Sequence, residues 1–258
     1  MLCAMRLDGR RALILGGGGG GIGRSVARAY ATAGASIAVS DLDPARAETA
    51  VTEIRQTGSV GHPLSGDVRS APQLYAMIDD AVARLGGLDI LVTVVGGQAA
   101  FVPAVKFHEM SDDDWDTVYE VNLRYVARAV RATLGHFLAQ GTGGTIVSIG
   151  SVTGIMAAPR QAAYGVAKAG IASLARTVSA EYAPEGIRMN VVAAGAIATP
   201  ASGNAASNDA VDEIPLGRYG GSDEVAAAAV YLAAGESAYI TGQQLVIDGG
   251  VSTRGPFP

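Results

Sequence analysis

Six consecutive glycines, Gly16 to Gly21, stand between a short apolar run and an amphipathic segment. Ile22 and Gly23 follow, so the spacing can be written Gly17-x-x-x-Gly21-x-Gly23. A flexible linker would not join a buried strand directly to an amphipathic helix. Glycines in a strand–turn–helix unit instead let the backbone approach a pyrophosphate at the N-terminus of the helix. The run therefore predicts a dinucleotide-binding turn.

The rest of the chain alternates short apolar runs with helix-length segments. Several runs are apolar throughout, as expected of strands buried on both faces of a sheet. This alternation predicts an α/β fold, a doubly wound parallel sheet with helices on both faces. The predicted strands are Arg11–Leu15, Ser36–Ser40, Val60–Ser65, Asp89–Val95, Thr145–Ile149, Arg188–Ala193 and Gln244–Ile247. The predicted helices lie near 22–33, 44–57, 71–85, 111–139, 160–183 and 222–234.

The domain organisation follows from the even composition of the chain. No linker or composition shift divides the 258 residues, which predicts one dinucleotide-binding and catalytic domain over 1–258. Residues 1–6 are predicted to be an N-terminal extension, and 199–221 a substrate loop region that is small and polar at 201–209. The first residues lack the apolar core of a secretory signal, and no apolar run is long enough to cross a bilayer.

Charge and composition exclude several classes of partner. The net charge of −5 opposes binding to a phosphate backbone, and an aromatic content of 5% leaves few platforms for stacking on bases. Cys3 is the single cysteine and the three histidines are scattered, so neither a disulfide nor a zinc site is expected. We expect a cytoplasmic protein that binds a small molecule, with no metal, nucleic acid or membrane partner.

Tyr164 and Lys168 are four residues apart, and Ser151 lies thirteen residues before the tyrosine. On a helix, residues four apart share a face, so the ammonium would lie beside the phenol. A neighbouring positive charge favours an ionised acid, and we therefore expect the pKa of Tyr164 to fall from about 10 towards working pH. The resulting phenolate could take a proton from an alcohol.

Asp41 ends the second predicted strand, where an acidic side chain accepts hydrogen bonds from the adenine ribose hydroxyls. Its charge would repel a 2′-phosphate, and neither Gly20 nor Leu42 supplies a compensating cation. NAD is therefore predicted rather than NADP, and the nearby Arg24 and Arg46 keep NADP as the alternative.

Asp67 and Val68 follow the third predicted strand. An aspartate at this place could accept a hydrogen bond from the adenine amino group, with Val68 against the ring. A simple turn aspartate is the other interpretation of the same pair.

With these residues placed, the chain resembles the short-chain dehydrogenase/reductase family from about Leu7 to Gly250. The resemblance implies a single Rossmann-type domain with about seven parallel strands. It also implies a homotetramer or a dimer, with the C-terminal Asp248-Gly249-Gly250 in the assembly region. The matching motifs, in order, are the glycine turn, Asp67-Val68, Gly96, Asn122, Ser151 with Tyr164 and Lys168, and Gly195 to Thr199.

The resemblance also implies roles for four residues in catalysis. Tyr164 would be the general acid/base, and Ser151 would hydrogen-bond the substrate oxygen and stabilise developing charge. Lys168 would lower the pKa of the tyrosine and bind the nicotinamide ribose. Asn122 would hold a water molecule in a proton relay.

The family's cofactor contacts carry over to further positions, with some departures from its pattern. Ile197 and Thr199 would contact the carboxamide of the cofactor, which carries the hydride. Gly16 stands where the family has threonine, Thr93-Val94-Val95 where it has Asn-Asn-Ala, and Ala194 where it has proline. We expect the first two departures to weaken the bracing of the nicotinamide side without abolishing binding.

These features predict an oxidoreductase that transfers a hydride between NAD and a small or medium apolar secondary alcohol or ketone. The first alternative is a 3-oxoacyl reductase acting on a chain bound to a carrier protein or CoA. Such enzymes usually prefer NADP and offer arginines to an acidic carrier; here Arg124, Arg128 and Arg131 form a basic stripe. The second alternative is an NAD-binding redox sensor without turnover, which Thr93-Val94-Val95 favours and the intact Ser151, Tyr164 and Lys168 oppose.

Overall fold

The computed structural model describes residues 6–200 and 211–254, along which strands and helices alternate as predicted. The strands are β1 (Arg11–Leu15), β2 (Ser36–Asp41), β3 (Gly61–Ser65), β4 (Ile90–Thr93), β5 (Gly144–Ser151), β6 (Ile187–Ala194), β7 (Ile197–Ala198), β8 (Gly220–Gly221) and β9 (Gln244–Ile247). The α-helices are α1 (Ile22–Thr32), α2 (Pro44–Gln56), α3 (Ala71–Leu85), α4 (Asp112–Tyr119), α5 (Tyr125–Gln140), α6 (Ala162–Tyr182) and α7 (Ser222–Ala233).

Seven strands form one parallel sheet in the order β3-β2-β1-β4-β5-β6-β9, so the predicted fold class is confirmed. The chain builds outwards from β1 to β3 and then returns to place β4 on the other side of β1. The strand order reverses between β1 and β4. In open α/β sheets, ligands bind outside the carboxyl ends of the strands at such a reversal.

Two apolar layers cover the opposite faces of this sheet. In β1, Leu13 and Leu15 face the layer formed with α3, α5 and α6, while Ile14 faces the layer formed with α1, α2 and α7. Small side chains let α7 approach α1 closely, and the hydroxyl of Tyr30 donates to the carbonyl of Ala229 at 2.9 Å. Because β1 is buried on both faces, the positions of its carboxyl end and of the glycine turn are well fixed.

The helix predicted over 111–139 is present but is interrupted at its middle. It begins as predicted, with the Ser111 side chain accepting from the backbone N–H of Asp114 at 3.1 Å. A π-helical turn over Glu120–Arg124 then joins α4 to α5 and contains Asn122. Single π turns inside α-helices occur frequently at functional sites. The apolar pattern of the sequence gives no sign of this extra residue.

Strand β4 is shorter than predicted, and two of the predicted segments lie partly outside the described residues. The strand predicted over Asp89–Val95 covers only Ile90–Thr93, although the N–H of Val94 still donates to the Leu15 carbonyl of β1 at 3.0 Å. Residues 1–5 of the predicted extension, with Cys3, and 201–210 of the predicted loop lie outside the described residues. Among the helices described, none has the length and apolar character needed to span a membrane.

Candidate active site

The glycine turn packs so tightly that side chains are excluded at several of its positions. A Cβ on Gly23 would lie 2.1 Å from the carbonyl oxygen of Gly16, and one on Gly18 would lie 2.7 Å from the carboxylate of Asp41. At Gly19, by contrast, a Cβ would meet nothing within 4 Å, so the backbone there faces open space. Helix α1 begins immediately afterwards, at Ile22. A bare turn before a helix N-terminus fits a pyrophosphate.

A cleft of about 420 Å³ opens at the carboxyl ends of the strands on the β3 side of the reversal. A second cavity of about 240 Å³ shares Ile22, Val94, Gly96 and Thr199 with it, so the two form one continuous cleft. The predicted residues lining the first part are Gly21, Ile22, Gly23, Asp41, Leu42, Asp67, Val68, Gly96 and Thr199. Those lining the second part are Ser151, Tyr164, Lys168 and Ile197, besides the shared ones. Of the predicted site residues, Gly17 and Asn122 are buried beside the cleft and do not line it.

At one end of the cleft, Asp41 is the acidic residue beside the glycine turn. Its carboxylate accepts from the backbone N–H of Asp43 at 3.0 Å and lies against Gly18. Arg24 and Arg46 are the two cations that kept NADP as the alternative. Nε of Arg24 lies 2.8 Å from Glu53 and its Nη1 donates to the Gly18 carbonyl at 2.9 Å, while Nε of Arg46 lies 3.5 Å from the carboxylate of Asp43. Both guanidinium groups are thus engaged elsewhere, and among the described residues no ion pair compensates the carboxylate of Asp41.

Arg69 lines the cleft next to Asp67, and the sequence analysis did not identify it. Its Nη2 lies 2.7 Å from the carboxylate of Asp67, and this ion pair lowers the pKa of Asp67. Arg128 donates to the carbonyl of Arg69 at 3.1 Å and so fixes its backbone from α5. The sequence places Arg69 two residues after Asp67, close enough for an ion pair. Whether its side chain points towards Asp67 depends on the turn after β3, which the sequence pattern does not give.

At the other end of the cleft, Tyr164, Lys168 and Ser151 come together as predicted. Lys168 is buried; its Nζ lies 5.5 Å from the centre of the Tyr164 ring and donates to the carbonyl of Ile149 at 3.0 Å. The helix α6 carries both residues on one face, and the carboxyl end of β5 supplies Ser151.

The predicted fall in the pKa of Tyr164 is wrong for this structure. Burial raises the pKa of the Tyr164 phenol, and a hydrogen bond with Ser151 acts in the opposite direction. Burial also lowers the pKa of Lys168 to about 8. The spacing of the two residues predicts only the attraction between their charges, whereas the cost of burying each charge is the larger effect in this structure.

Asn122 and Lys168 converge on Gly96 at the end of β4. A Cβ on Gly96 would lie 2.6 Å from Oδ1 of Asn122 and 3.1 Å from Nζ of Lys168. Oδ1 of Asn122 accepts from Gly97 N–H at 2.8 Å, and Nδ2 donates to the carbonyls of Gly97 at 2.8 Å and Val118 at 2.9 Å. The side-chain amide of Asn122 therefore ties the loop after β4 to the carbonyl of Val118 on α4, a role that the sequence did not predict.

The departures from the family pattern compensate one another at the end of β4. Gly16 has φ of +93°, and a Cβ there would lie only 2.6 Å from Cγ2 of Val95, so the larger Val95 and the missing threonine side chain occupy the same space. Thr93 donates to Ser148 at 2.9 Å, and the buried Tyr125 hydroxyl donates to the Val95 carbonyl at 2.7 Å. The bracing that we expected to be weak is supplied by these other side chains.

No group of three or more His, Cys, Asp or Glu side chains suited to a metal ion occurs within 6–200 and 211–254. The cleft therefore has three parts: the glycine turn without side chains, the end that contains Asp41, and the end that contains Ser151, Tyr164 and Lys168. A dinucleotide fits the first two, and proton transfer to or from a substrate oxygen fits the third.

Comparisons with known proteins agree with this geometry. Residues 17–252 match the profile of the family described as enoyl-(acyl carrier protein) reductase. The chain is 33% identical over 250 residues to a 3-oxoacyl-[acyl-carrier-protein] reductase of Thermotoga maritima, covering 96% of this chain and 99% of that protein.

Solved structures are also similar over nearly the whole chain. A 7α-hydroxysteroid dehydrogenase complexed with NADH and 7-oxo glycochenodeoxycholic acid has a TM-score of 0.89 and 32% identity, with 95% of each chain covered. A gluconate 5-dehydrogenase of Burkholderia cenocepacia, in complex with NADP and tartrate, has a TM-score of 0.89 and 35% identity, covering 97% of this chain and 98% of that one. The chain therefore belongs to the short-chain dehydrogenase/reductase family, oxidoreductases that use a nicotinamide cofactor to interconvert alcohols and ketones.

Proposed function

We propose that the protein is an NAD-dependent oxidoreductase of small or medium secondary alcohols and ketones, with Tyr164 as general acid/base. The observation that carries the proposal is one continuous cleft with Asp41 at one end and Ser151, Tyr164 and Lys168 at the other. The first end suits an adenine ribose with free hydroxyls, and the second suits proton transfer at a substrate oxygen.

In this proposal the bound NAD supplies the hydride acceptor, and the residues of the chain handle the proton. Tyr164, as phenolate, takes the hydroxyl proton of the alcohol, while Ser151 donates a hydrogen bond to the same oxygen. Lys168, fixed by the Ile149 carbonyl, favours the phenolate through its charge and would hold the nicotinamide ribose. Ile22 and Val94 give the cleft an apolar wall between its two ends, which excludes water from the reacting atoms.

The other predicted positions would take the following roles in this scheme. We assign pyrophosphate contact to Gly21 and Gly23, with Gly17 as the cofactor-site glycine that packs the turn against the sheet, and adenine contact to Asp67 and Val68. Gly96, Ile197 and Thr199 would lie beside the nicotinamide, and Asn122 would act by holding the loop that contains Gly96. We propose that 199–221 forms the substrate loop.

The preference for NAD rests on the carboxylate of Asp41, because no cation in the described residues forms an ion pair with it. Relatives bind NADH in one solved structure and NADP in another, so family membership alone does not decide between them. In Asp41→Ala we expect the ratio of kcat/KM for NAD to that for NADP to fall at least about tenfold, the worth of one strong hydrogen bond to a charged group. Leu42→Ala, next to it and exposed, should leave the ratio nearly unchanged. An unaltered ratio in Asp41→Ala would remove the basis for preferring NAD.

A 3-oxoacyl reductase is the second candidate, favoured by the similarity to the Thermotoga maritima reductase. The basic stripe that an acidic carrier would need is engaged within the chain: Arg124 and Arg128 both lie against Glu120, and Arg131 donates to Tyr75 at 2.9 Å. We therefore rank it below the alcohol dehydrogenase. Reduction of a 3-oxoacyl-CoA faster than of any simple ketone would reverse that order.

We further propose that the protein is a cytoplasmic homotetramer, or else a dimer. The single cysteine fits a reducing compartment. The edge strand β9 carries a half-exposed apolar segment, which fits coverage by a second subunit.

A further inference from the structure

Thr153 lies outside the four residues that carry the proposed reaction, yet it contacts one of them twice. Its backbone N–H donates to the Ser151 hydroxyl oxygen at 3.2 Å, and its own hydroxyl lies 3.0 Å from the same oxygen. The short 3₁₀ turn Val152–Gly154, which Ser151 caps, produces this arrangement. Among the described contacts, the Thr153 hydroxyl has no other hydrogen-bonding partner.

The hydrogen-bonding capacity of a hydroxyl group limits how Ser151 can be connected. A serine oxygen carries one hydrogen and two lone pairs, so it makes at most three hydrogen bonds. Ser151 accepts from the Thr153 N–H and hydroxyl, and it lines the same cavity as Tyr164, whose pKa its hydroxyl lowers. The N–H can only donate, so one lone pair of Ser151 is always occupied by it.

The remaining two bonds must then change direction together. When Tyr164 carries its proton, it can donate to Ser151, and Ser151 donates to Thr153. When Tyr164 is a phenolate, it can only accept, so Ser151 donates to Tyr164 and Thr153 donates to Ser151. This second arrangement ends on an anion, and hydrogen bonds to a charged group are about twice as strong as those between neutral groups.

We propose that Thr153 is a positioning residue that donates to Ser151 and so leaves the single Ser151 hydrogen to point into the cleft, where it stabilises the ionised form of Tyr164 before a substrate oxygen takes its place. Because the bonds in such a chain strengthen one another, loss of the first donor weakens the bond to the anion more than the bond to the neutral phenol. The proposal deepens the proposed function, since it concerns the same proton transfer.

Few other titratable groups face Tyr164. Lys168 lies one turn later on α6, and Tyr125 on α5 is close enough for its buried phenol to be affected by Tyr164. Both are unchanged by substitution at Thr153, so a shift in the Tyr164 titration would be traceable to the hydroxyl chain. Thr153→Val removes the hydroxyl with little change of volume, and the backbone N–H bond to Ser151 remains.

The test is a titration of tyrosinate absorbance in the whole protein, with the curve of Tyr164→Phe subtracted so that only Tyr164 contributes. It needs no turnover, so it stands even if the natural substrate is not an alcohol. We expect the midpoint in Thr153→Val to lie about half a pH unit or more above that of the native protein, and Thr153→Ser to restore it. Where an alcohol substrate is found, kcat for oxidation below the midpoint should fall by about threefold or more in Thr153→Val.

Thr133→Val is the matched control, because the buried Thr133 hydroxyl on α5 has no hydrogen-bonding partner in the described structure. It should leave the midpoint unchanged. A midpoint in Thr153→Val equal to that of the native protein would overturn the proposal, and so would a shift that Thr153→Ser fails to reverse. Absence of turnover on every alcohol and ketone, with the midpoint shifted as expected, would instead count against the proposed function alone.

Discussion

At the scale of single residues, burial governs the chemistry of the candidate site. The Tyr164 phenol and the Lys168 ammonium share one buried region, and burial disfavours the charged form of each. The tyrosine pKa is therefore raised and the lysine pKa lowered to about 8.

Alcohol oxidation should accelerate as the pH rises, because the Tyr164 phenolate takes the alcohol proton and burial places its pKa above the ordinary value of 10. The reverse reaction, which needs the protonated tyrosine, should slow over the same interval. In Lys168→Met the positive charge beside the phenol is lost, so the rise should move to higher pH. Stopped-flow measurement of the hydride-transfer step between pH 6 and 11 would check this, and an unshifted rise in Lys168→Met would contradict it.

The same substitution should stabilise the folded protein. The folded-state pKa of Lys168 lies below its unfolded value of 10.5, so burying the charged lysine opposes folding below about pH 8, and this cost disappears as the pH rises to 10.5. Lys168→Met removes the buried charge but leaves the Ile149 carbonyl without its donor. We expect the free energy of unfolding at pH 7 to rise by about 1 to 2 kcal/mol. A fall in urea denaturation experiments would contradict this account.

At the scale of elements, the end of β1 and the end of β4 are fitted to each other. Gly16 has no side chain, and the Val95 side chain occupies the space beside it. A larger residue at position 16 would need a smaller one at position 95. From the sequence, the two departures together predicted weaker bracing of the nicotinamide side of the cleft. Their compensation could not be predicted because it depends on how closely two turns approach, which no local pattern records.

A pair of substitutions tests this complementarity. Gly16→Thr places a Cβ 2.6 Å from Val95 and requires a side chain at φ of +93°, so we expect a loss of about 2 to 4 kcal/mol in the free energy of unfolding. Val95→Ala alone should cost about 1 to 2 kcal/mol through the cavity that it leaves. The double variant should be more stable than the sum predicts by at least about 1 kcal/mol.

Chemical denaturation of the four proteins measures this coupling. Gly19→Ala is the control, since a Cβ there meets nothing within 4 Å and should change stability little. Strict additivity of the two substitutions would show that the residues do not share the space.

The elements themselves were largely predictable, and the reasons are physical. Strands such as β1 and β6 are buried on both faces, so their sequences are apolar throughout, and the helices between them carry clear apolar stripes. The π turn around Asn122 and the early end of β4 at Thr93 were missed. The π turn is accompanied by hydrogen bonds between Asn122 and Gly97 in the loop after β4, and such bonds are not encoded in periodicity.

At the scale of the whole molecule, the two edges of the sheet differ in character. The edge strand β9 presents Val246, which is 36% exposed, between the half-buried Leu245 and Ile247. Exposed apolar edge strands are usually covered by another element or another chain. The tail after β9 is also anchored, since Gly249 accepts from the backbone of Leu216 at 3.1 Å, which fixes the edge beside the region 211–221.

We therefore expect Val246→Lys to shift the protein towards smaller species in sedimentation velocity experiments, because a charge would be buried between subunits. Val60→Lys is the matched control, as Val60 is 52% exposed and stands just before β3 at the opposite edge. A native protein that sediments as a monomer would contradict the assembly that we propose. An assembly unaffected by Val246→Lys would place the interface elsewhere.

Site residues on regular elements could be predicted from the sequence, and site residues in short turns could not. The residues on regular elements, Tyr164 and Lys168 on α6 and Asp41 at the end of β2, were found from spacing alone and meet in one cleft. The contributions of Arg69 and Thr153 were not found, because both lie in short turns where side-chain direction depends on the local backbone. The sign of the Tyr164 pKa shift was missed for another reason: spacing gives neighbours but not depth of burial.

The central claim is that Tyr164 performs the proton transfer in an NAD-dependent oxidation, and one measurement tests it most directly. NADH formation from NAD would be followed across a panel of secondary alcohols for the native protein and Tyr164→Phe, with NAD binding measured in both by calorimetry. The account predicts turnover by the native protein, a loss of at least about a hundredfold in Tyr164→Phe, and retained binding of NAD by both. Turnover that survives in Tyr164→Phe would contradict the claim, and binding of NAD with no turnover on any alcohol or ketone would favour a redox sensor instead.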